Sequence, residues 1–214
     1  MHHSRTTDSA ARISYWLVPE PSMRARLQVV IDQLAARYQG PRFIPHLTVA
    51  VSSDIRPAAV AQTLQQGSAR SAPQVLTPLG LRFSPAFTQS CYLPLPLKPE
   101  LIALVHCVQA RTSPSAARPF NPQMSLFYGT LRQAERQSIA NSLALPGAIH
   151  FSELWAIQLN TTTRCAQDVH AWEVVGTAKL SAAATRPPGQ NAQTPRDRSL
   201  GPAQRYDTSR DSAH

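Results

Sequence analysis

Two short segments of the sequence share a pattern of residue types that could handle a phosphate group. Residues 43–49 read Phe-Ile-Pro-His-Leu-Thr-Val, and residues 120–126 read Phe-Asn-Pro-Gln-Met-Ser-Leu. Side chains alternate between the two faces of a strand, so His46 and Thr48 would share one face, as would Gln123 and Ser125. The apolar residues between them would then point into a core. The pattern predicts a polar, phosphate-sized site between two strands.

The chemistry that such a site could perform is the opening of a cyclic phosphodiester. The reaction needs a base for the attacking water and an acid for the departing oxygen, and a histidine such as His46 suits these roles because the free pKa of imidazole lies near neutral pH. The hydroxyls of Thr48 and Ser125 can donate hydrogen bonds to phosphoryl oxygens as charge accumulates. Gln123 can orient a phosphate or a water, but an amide is neither a general base nor a general acid. Loss of one such group removes ~10²–10⁴ in rate.

Three interpretations of Gln123 remain open from the sequence. Activity could be lost while binding is preserved. A nearby histidine (His106, His150 or His170) could replace the missing proton-transfer group, although histidines outside a site are the more common case. The reaction could also need only one histidine.

Three further residues are predicted to bind substrate. Trp16 could stack on a base, although a core position is equally compatible with its strand. Tyr128 and Phe127 lie on opposite faces of the second motif strand, so one of them, in our prediction Tyr128, would line the site. Arg42 could contact a phosphate, although exposed, solvated arginines are more common.

The two segments lie within longer stretches that resemble a known family. Residues 15–19 read Tyr-Trp-Leu-Val-Pro, residues 122–129 read Pro-Gln-Met-Ser-Leu-Phe-Tyr-Gly, and Trp172 follows a threonine-rich stretch. Together they resemble the two-histidine (2H) phosphoesterase superfamily, and within it the cyclic phosphodiesterase branch with its LigT-like fold. The resemblance covers residues 13–180. It places the family's second histidine at Gln123, and so implies the catalytic positions His46, Thr48, Gln123 and Ser125.

The resemblance implies a metal-independent cyclic phosphodiesterase that acts on 2′,3′-cyclic nucleotides or related cyclic phosphates, including that of ADP-ribose. Its activity would be impaired by the loss of one catalytic histidine. The alternative is a non-catalytic module on the same fold that binds a nucleotide or an RNA end. Neither interpretation calls for a cofactor or a metal. The expected partner is a cyclic nucleotide or RNA-end phosphate, bound by a monomer.

The composition fits a loop-rich globular protein with a basic surface. Hydrophobic residues make up 43% of the 214 residues, charged residues only 15%, and there are 19 prolines. The formal net charge of +9 favours anionic ligands but equally fits a merely soluble basic protein. The arginines of the C-terminal tail allow a third, weaker hypothesis of a protein-interaction role.

The location of the protein is predicted from its cysteines and the absence of export signals. Cys91, Cys107 and Cys165 are odd in number and form no CxxC pair, which is typical of free thiols in a reducing compartment. No stretch approaches the ~20 apolar residues of a membrane span, and the polar N-terminus lacks the apolar centre of a signal peptide. We expect a cytoplasmic protein without membrane contact.

The order of predicted elements gives the fold class. Residues 1–12 and the basic tail 181–214 are predicted to be disordered, which leaves one domain over 13–180. Strands are predicted at 13–18, 44–51, 74–83, 90–95, 124–128, 151–160 and 171–180, and helices at 22–38, 54–67, 99–111 and 131–143. Ser22 is expected to cap the first helix, and 161–170 to form a loop. Two similar halves, each with one motif, predict an α+β fold of two pseudo-symmetric lobes, with antiparallel sheets flanked by helices around a central cleft.

Overall fold

The computed structural model describes residues 10–112 and 120–181, all of which belong to one compact unit. The strands are β1 (Arg12–Pro19), β2 (Leu47–Ser52), β3 (Gln74–Leu76), β4 (Arg82–Phe83), β5 (Cys91–Pro94), β6 (Gln123–Phe127), β7 (Ile149–Leu159) and β8 (Glu173–Lys179). The helices are α1 (Pro21–Tyr38), α2 (Pro57–Ala69), α3 (Pro99–Gln109), α4 (Gln133–Ser142) and α5 (Ala166–His170). A 3₁₀ turn covers Phe87–Gln89.

The strands form two antiparallel sheets of unequal size. The larger sheet has five strands in the order β2-β1-β7-β3, with β8 also paired to β7, and the smaller has the order β4-β5-β6. Each sheet contributes one motif strand, and β2 packs beside β6 where the two sheets meet. The predicted α+β class, with antiparallel sheets and flanking helices, is confirmed.

Strand β1 lies between β2 and β7, which explains its nearly unbroken apolar sequence. Every residue from Ile13 to Pro19 is buried. Ile13, Tyr15 and Leu17 belong to the main core, whereas Trp16 and Val18 belong to a second cluster on the other face. A strand covered on both faces cannot show the apolar–polar alternation of a half-exposed strand. Alternate side chains of β1 therefore pack into the main core on one face and into the second apolar cluster on the other.

Helix α1 begins one residue earlier than the sequence predicts. Pro21 occupies its first turn, where the missing backbone N–H costs no hydrogen bond. The prediction that Ser22 caps this helix is wrong, because Ser22 lies inside it and its hydroxyl donates to the Glu20 carboxylate at 3.1 Å. At the other end, Gln39 has a left-handed φ of 57° and ends the helix.

Two other predicted elements differ from the structure. The single strand predicted over 74–83 is two short strands in different sheets, because β3 pairs with β7 and β4 pairs with β5. The chain between them contains Pro78 and Gly80, and the φ of 113° at Gly80 is incompatible with a continuing strand. The predicted loop 161–170 contains the short helix α5. The remaining elements are present, with ends shifted by at most three residues.

The ends of the chain lie mostly outside the described residues. The predicted disorder of 1–12 and 181–214 therefore stays a prediction, although Arg12 already belongs to β1 and the Ser181 N–H donates to the Ser68 carbonyl. Within the described part of the chain, no helix has the length and apolarity needed to cross a membrane. The cytoplasmic location and the monomeric state stay predictions as well.

Candidate active site

A cleft of about 410 Å³ lies where β2 and β6 meet. Both motif strands contribute to its lining, as does the buried strand β1. Six of the seven residues predicted to form the site line this one cleft: Trp16, His46, Thr48, Gln123, Ser125 and Tyr128. The apolar residues that alternate with them, Leu47 and Met124 among others, face the main core. The period of two therefore brings the polar pair of each motif to a common site.

The imidazole of His46 is held between aromatic rings at the back of the cleft. It stacks on Trp16 with ring centroids 3.6 Å apart and an interplanar angle of 9°. Phe43 and Trp172 approach it edge-on, at 6.2 and 6.0 Å. Its Nδ1 lies 2.6 Å from the Ile44 carbonyl oxygen, and because a carbonyl only accepts, Nδ1 carries the proton. In the neutral ring, Nε2 is then the nitrogen with the free lone pair.

Burial also fixes the charge state of His46. Only 6% of the residue is exposed, and this desolvation lowers its pKa from 6.5 to about 4, against a small opposing effect of the hydrogen bond to Ile44. The ring is therefore neutral at physiological pH. A neutral imidazole with a free lone pair can accept a proton from water.

Ser125 and Tyr128 are hydrogen-bonded neighbours in the lining of the same cleft. The Ser125 hydroxyl donates to the Thr88 carbonyl at 2.7 Å, which ties β6 to the 3₁₀ turn. Burial raises the pKa of Tyr128, whose hydroxyl is hydrogen-bonded to Ser125. The Tyr128 ring stacks on Phe43 at 3.9 Å, while Phe127 points into the main core. Of the two adjacent aromatic residues, Tyr128 is thus the one that lines the cleft.

Thr48 and Gln123 are the polar groups of the motifs that face solvent. Thr48 is exposed and Gln123 is partly exposed. Neither side chain is hydrogen-bonded to another described residue. A ligand can therefore bind them without breaking a hydrogen bond to any residue of the described ranges, unlike the hydroxyl of Ser125.

Arg42 and the three alternative histidines lie elsewhere. The side chain of Arg42 is 70% exposed, its Nε lies 4.0 Å from Asp32, and it does not line the cleft. His106, His150 and His170 are exposed, and none of them lines the cleft either. In the described part of the chain, His46 is therefore the one histidine that reaches the site. Replacement of the second proton-transfer group by one of the other three has no support in this geometry.

Several lining residues were not predicted from the sequence. Thr88 and Gln89 come from the 3₁₀ turn, Gln109 from α3, and Thr163 from the segment before α5. The indole N–H of Trp172 donates to the Thr163 hydroxyl at 3.2 Å. No local pattern marks these residues, because the packing of distant elements brings them to the cleft.

The cleft is electrically neutral over the residues that the structure describes. Its lining there contains amides, hydroxyls and apolar groups, and no lysine, arginine, aspartate or glutamate. Across 10–112 and 120–181, no three histidine, cysteine, aspartate or glutamate side chains are grouped as they would be to hold a metal ion. These described residues would bind an anion through hydrogen bonds rather than through charge pairing.

Comparison with known proteins gives the family to which this fold belongs. Residues 11–180 match the family described as cyclic phosphodiesterase-like protein. This match covers well over half of the chain, and the chain therefore belongs to the cyclic phosphodiesterase-like family. The predicted membership of the 2H phosphoesterase superfamily is confirmed.

Individual relatives agree with the family match. The chain is 25% identical over 175 residues to a cyclic phosphodiesterase of Arabidopsis thaliana, covering 78% of this chain and 94% of that protein. It is similar in fold to Escherichia coli LigT complexed with 3′-AMP, with a TM-score of 0.50, 14% identity, and 81% and 99% of the two chains covered. The protein TT0787 of Thermus thermophilus gives a TM-score of 0.50 at 14% identity, with 79% and 97% covered.

Proposed function

We propose that this protein hydrolyses 2′,3′-cyclic nucleotides or related cyclic phosphates in the cleft between β2 and β6, slowly and without a metal. The observation that carries the proposal is the meeting of His46, Thr48 and Gln123 in one cleft. Membership of the cyclic phosphodiesterase-like family supports the reaction class. The Arabidopsis relative is named a cyclic phosphodiesterase, and LigT has been crystallised with 3′-AMP and with NADP+, which supports a nucleotide ligand.

The roles of the residues follow from their surroundings. His46 Nε2 removes the proton from the attacking water, because Nδ1 is engaged with Ile44. The hydroxyl of Thr48 and the amide of Gln123 donate to the phosphoryl oxygens, where hydrogen bonds are strongest as charge develops. Ser125 joins them when its hydroxyl turns from the Thr88 carbonyl, to which it donates in this structure.

The aromatic residues and Arg42 have more limited roles. Trp16 is only 2% exposed and is stacked on the imidazole, so we propose that it positions His46 rather than a nucleotide base. Tyr128, which lines the cleft, supports Ser125 and closes the wall beside the phosphate. A phosphate contact of Arg42 stays a prediction that this geometry does not favour.

The test is turnover of 2′,3′-cyclic AMP by the purified protein, followed by separation of the cyclic and opened nucleotides. We expect slow hydrolysis by the wild-type chain and a loss of ~10²-fold or more in His46→Ala, the scale of a lost general base. His150→Ala is the matched control, because His150 is exposed and does not line the cleft. A wild-type rate equal to that of buffer would contradict the enzymatic proposal.

The second candidate is a binding module that captures the nucleotide or an RNA end without turnover. It is favoured by the amide at 123, which can hold a phosphate but cannot exchange its proton. Calorimetric titration with 2′,3′-cyclic AMP separates the two candidates. Binding without product supports the module, and absence of binding to cyclic and linear nucleotides and RNA ends removes it.

A further inference from the structure

We propose that the cleft, over the residues that the structure describes, contains a general base but no general acid, and so favours phosphodiesters whose leaving group departs without protonation. This inference rests on the proposed function, because it concerns phosphodiester hydrolysis at the same site. It adds a substrate preference: esters with weakly basic leaving groups over simple alkoxide esters.

The base is defined by the hydrogen bond behind the imidazole. The Nδ1–H of His46 is donated to Ile44 at 2.6 Å, so one nitrogen remains to act in the cleft. The aromatic rings around it, Trp16, Phe43 and Trp172, present no charged group that would stabilise an imidazolium. Burial accordingly keeps the ring neutral at pH 7. In this state His46 can accept a proton but has none on Nε2 to donate.

No described residue of the lining is suited to donate a proton to the leaving group. The lining amides, those of Gln89, Gln109 and Gln123, hold their protons throughout the physiological range. Tyr128 is the one lining phenol among the described residues, and it is buried against Phe43 with its hydroxyl engaged by Ser125, while burial raises its pKa. Aliphatic hydroxyls such as that of Thr48 are weaker acids still. Since no residue of 10–112 or 120–181 supplies this proton, a departing alkoxide takes it from solvent in this proposal.

The step balances with water and His46 alone. A water O–H gives its proton to Nε2, and its oxygen forms the new bond to phosphorus. The bond between phosphorus and the leaving atom breaks, and the electron pair stays on the leaving atom. The imidazolium then returns its proton to solvent. If the leaving atom is a sugar oxygen, its strongly basic alkoxide must be protonated as it departs, whereas a thiolate leaves as a stable anion.

The discriminating substrates are 2′,3′-cyclic AMP and its two analogues in which the 2′ or the 3′ bridging oxygen is replaced by sulfur. The three compounds share the cyclic phosphate, the adenine and the overall shape. They differ mainly in whether the leaving group needs a general acid to protonate it. Release of the thiol can be followed with a thiol-reactive dye. Each enzymatic rate is divided by the hydroxide-catalysed rate of the same compound, which also proceeds without a general acid and so gives the ratio expected of a site that supplies only a base.

Before normalisation we expect the wild-type chain to turn over at least one thio analogue, the favoured one, faster than the oxygen ester. After division by the hydroxide rates the two should agree within about tenfold, because neither hydroxide nor the cleft supplies a general acid. Gln123→His should raise turnover of 2′,3′-cyclic AMP by ~10²-fold or more, and turnover of the favoured thio analogue less than about tenfold. Gln109→His is the matched control, since it adds an imidazole to the same lining at another place. It should leave the ratio of the two rates unchanged.

Equal acceleration of both substrates by Gln123→His would overturn the inference while leaving the proposed hydrolysis intact. The same conclusion follows if the normalised rate of the wild-type chain is ~10²-fold or more higher for the oxygen ester than for both thio analogues, as a general acid in the cleft would produce. This comparison needs no variant to fold. An effect of Gln109→His equal to that of Gln123→His would remove the assignment to position 123. Absence of turnover with all three substrates would instead reject the proposed function, and the inference with it.

Discussion

His46 couples the chemistry of the site to the stability of the protein. Its folded pKa is lowered from 6.5 to about 4 by burial. Between these two pH values the His46 imidazole is protonated in the unfolded chain but remains neutral in the folded chain. The free energy of unfolding therefore decreases as the pH falls from about 6.5 to about 4. Above pH 6.5, His46 is neutral in both states and does not make this free energy depend on pH.

The first prediction is a pH dependence of the unfolding free energy that belongs to His46. Denaturant unfolding should show a loss of up to about 3 kcal/mol between pH 6.5 and pH 4, the free energy that corresponds to the lowered pKa. The lowered pKa values of Asp54 and Asp168, both about 2, place their own losses at more acidic pH. His46→Gln should flatten the curve in this window, and an equally steep curve in that variant would contradict the assignment.

The second prediction separates the two motif hydroxyls. Ser125→Ala removes the donor to the carbonyl of the partly buried Thr88 and the partner of the buried Tyr128 hydroxyl, so the unfolding free energy should fall by about 1–3 kcal/mol. Thr48→Ala changes an exposed side chain and should cost less than about 1 kcal/mol. Turnover of 2′,3′-cyclic AMP should nevertheless fall by ~10²-fold in Thr48→Ala, if its hydroxyl stabilises the transition state. A large stability loss in Thr48→Ala with unchanged turnover would reverse these roles.

The sequence could predict which residues face the site, but not how each is held. Alternation along a strand was enough to pair His46 with Thr48, and Gln123 with Ser125. The partner of Ser125 is a backbone carbonyl from a turn 37 residues earlier in the chain, which no local pattern specifies. The stacking of Trp16 on His46 likewise depends on the register between β1 and β2.

The start of helix α5 organises the segment that holds Trp172 beside His46. The carboxylate of Asp168 accepts the backbone N–H groups of Arg164 and Cys165, at 2.8 and 3.0 Å, and the hydroxyl of Thr161 at 2.8 Å. The segment so organised carries Thr163, whose hydroxyl holds Trp172 beside His46. One carboxylate thus supports a loop that ends at the site.

The third prediction concerns this loop. Asp168→Asn should destabilise the protein by about 1 kcal/mol, because charged hydrogen bonds near the surface are screened by solvent. Hydrogen exchange of the Arg164 and Cys165 amides should become faster, while the core strand β1 keeps its protection. Glu173→Gln is the matched control, since it also neutralises a carboxylate and Glu173 is exposed at the start of β8. Unchanged exchange in Asp168→Asn would contradict the role of the carboxylate.

The fourth prediction tests the close approach of α1 to β6. A Cβ at Gly40 would lie 2.3 Å from a ring carbon of Phe127 and 2.6 Å from the Tyr128 carbonyl oxygen. Gly40→Ala should therefore lower the unfolding free energy by roughly 1–3 kcal/mol, the usual cost of overpacking. A Cβ at Gly147 would meet nothing within 4 Å, so Gly147→Ala should change stability by less than about 0.5 kcal/mol. If both variants melted at similar temperatures, the packing of Gly40 against Phe127 and Tyr128 would have room for a methyl group, which would contradict this prediction.

The elements that the sequence predicted well are the long periodic ones, and the errors fall where local signals compete. The apolar spacing of α1 and α3 identified both helices. The stretch 74–83 contains enough apolar residues for a strand, but Pro78 and Gly80 divide it between two sheets. The five-residue helix α5 has too few turns to show a period, and Asp168 organises its start through the hydrogen bonds described above.

At the scale of the whole molecule, the predicted class is right but the two halves are unequal. Five strands form one sheet and three form the other, since β3 and β8 both add to the long strand β7. Pairing between strands far apart in the sequence depends on tertiary packing, so the element order alone could not assign β3 to the larger sheet. The meeting of β2 and β6, which the cleft requires, was predictable only from the repeated motif.

The fifth prediction concerns the extent of the folding unit. A chain ending at Ser181 keeps the last described contacts, including the backbone hydrogen bond from Ser181 to Ser68. It should retain the thermal midpoint of the full chain, and its turnover of 2′,3′-cyclic AMP. Shortening the chain further, to end before β8, should unfold it, because β8 pairs along Glu153–Gln158 of β7. A lower midpoint or lost activity in the chain ending at Ser181 would give the tail a role in the domain.

The central claim is that two distant segments of the chain face each other across one phosphate site. A crystal structure of the wild-type protein soaked with 3′-AMP tests it directly, because 3′-AMP is stable and carries the ribose phosphomonoester that ring opening produces. The phosphate should lie within about 3 Å of both His46 Nε2 and the Gln123 amide nitrogen. A phosphate bound at any other surface, or an empty cleft at saturating nucleotide, would contradict the account.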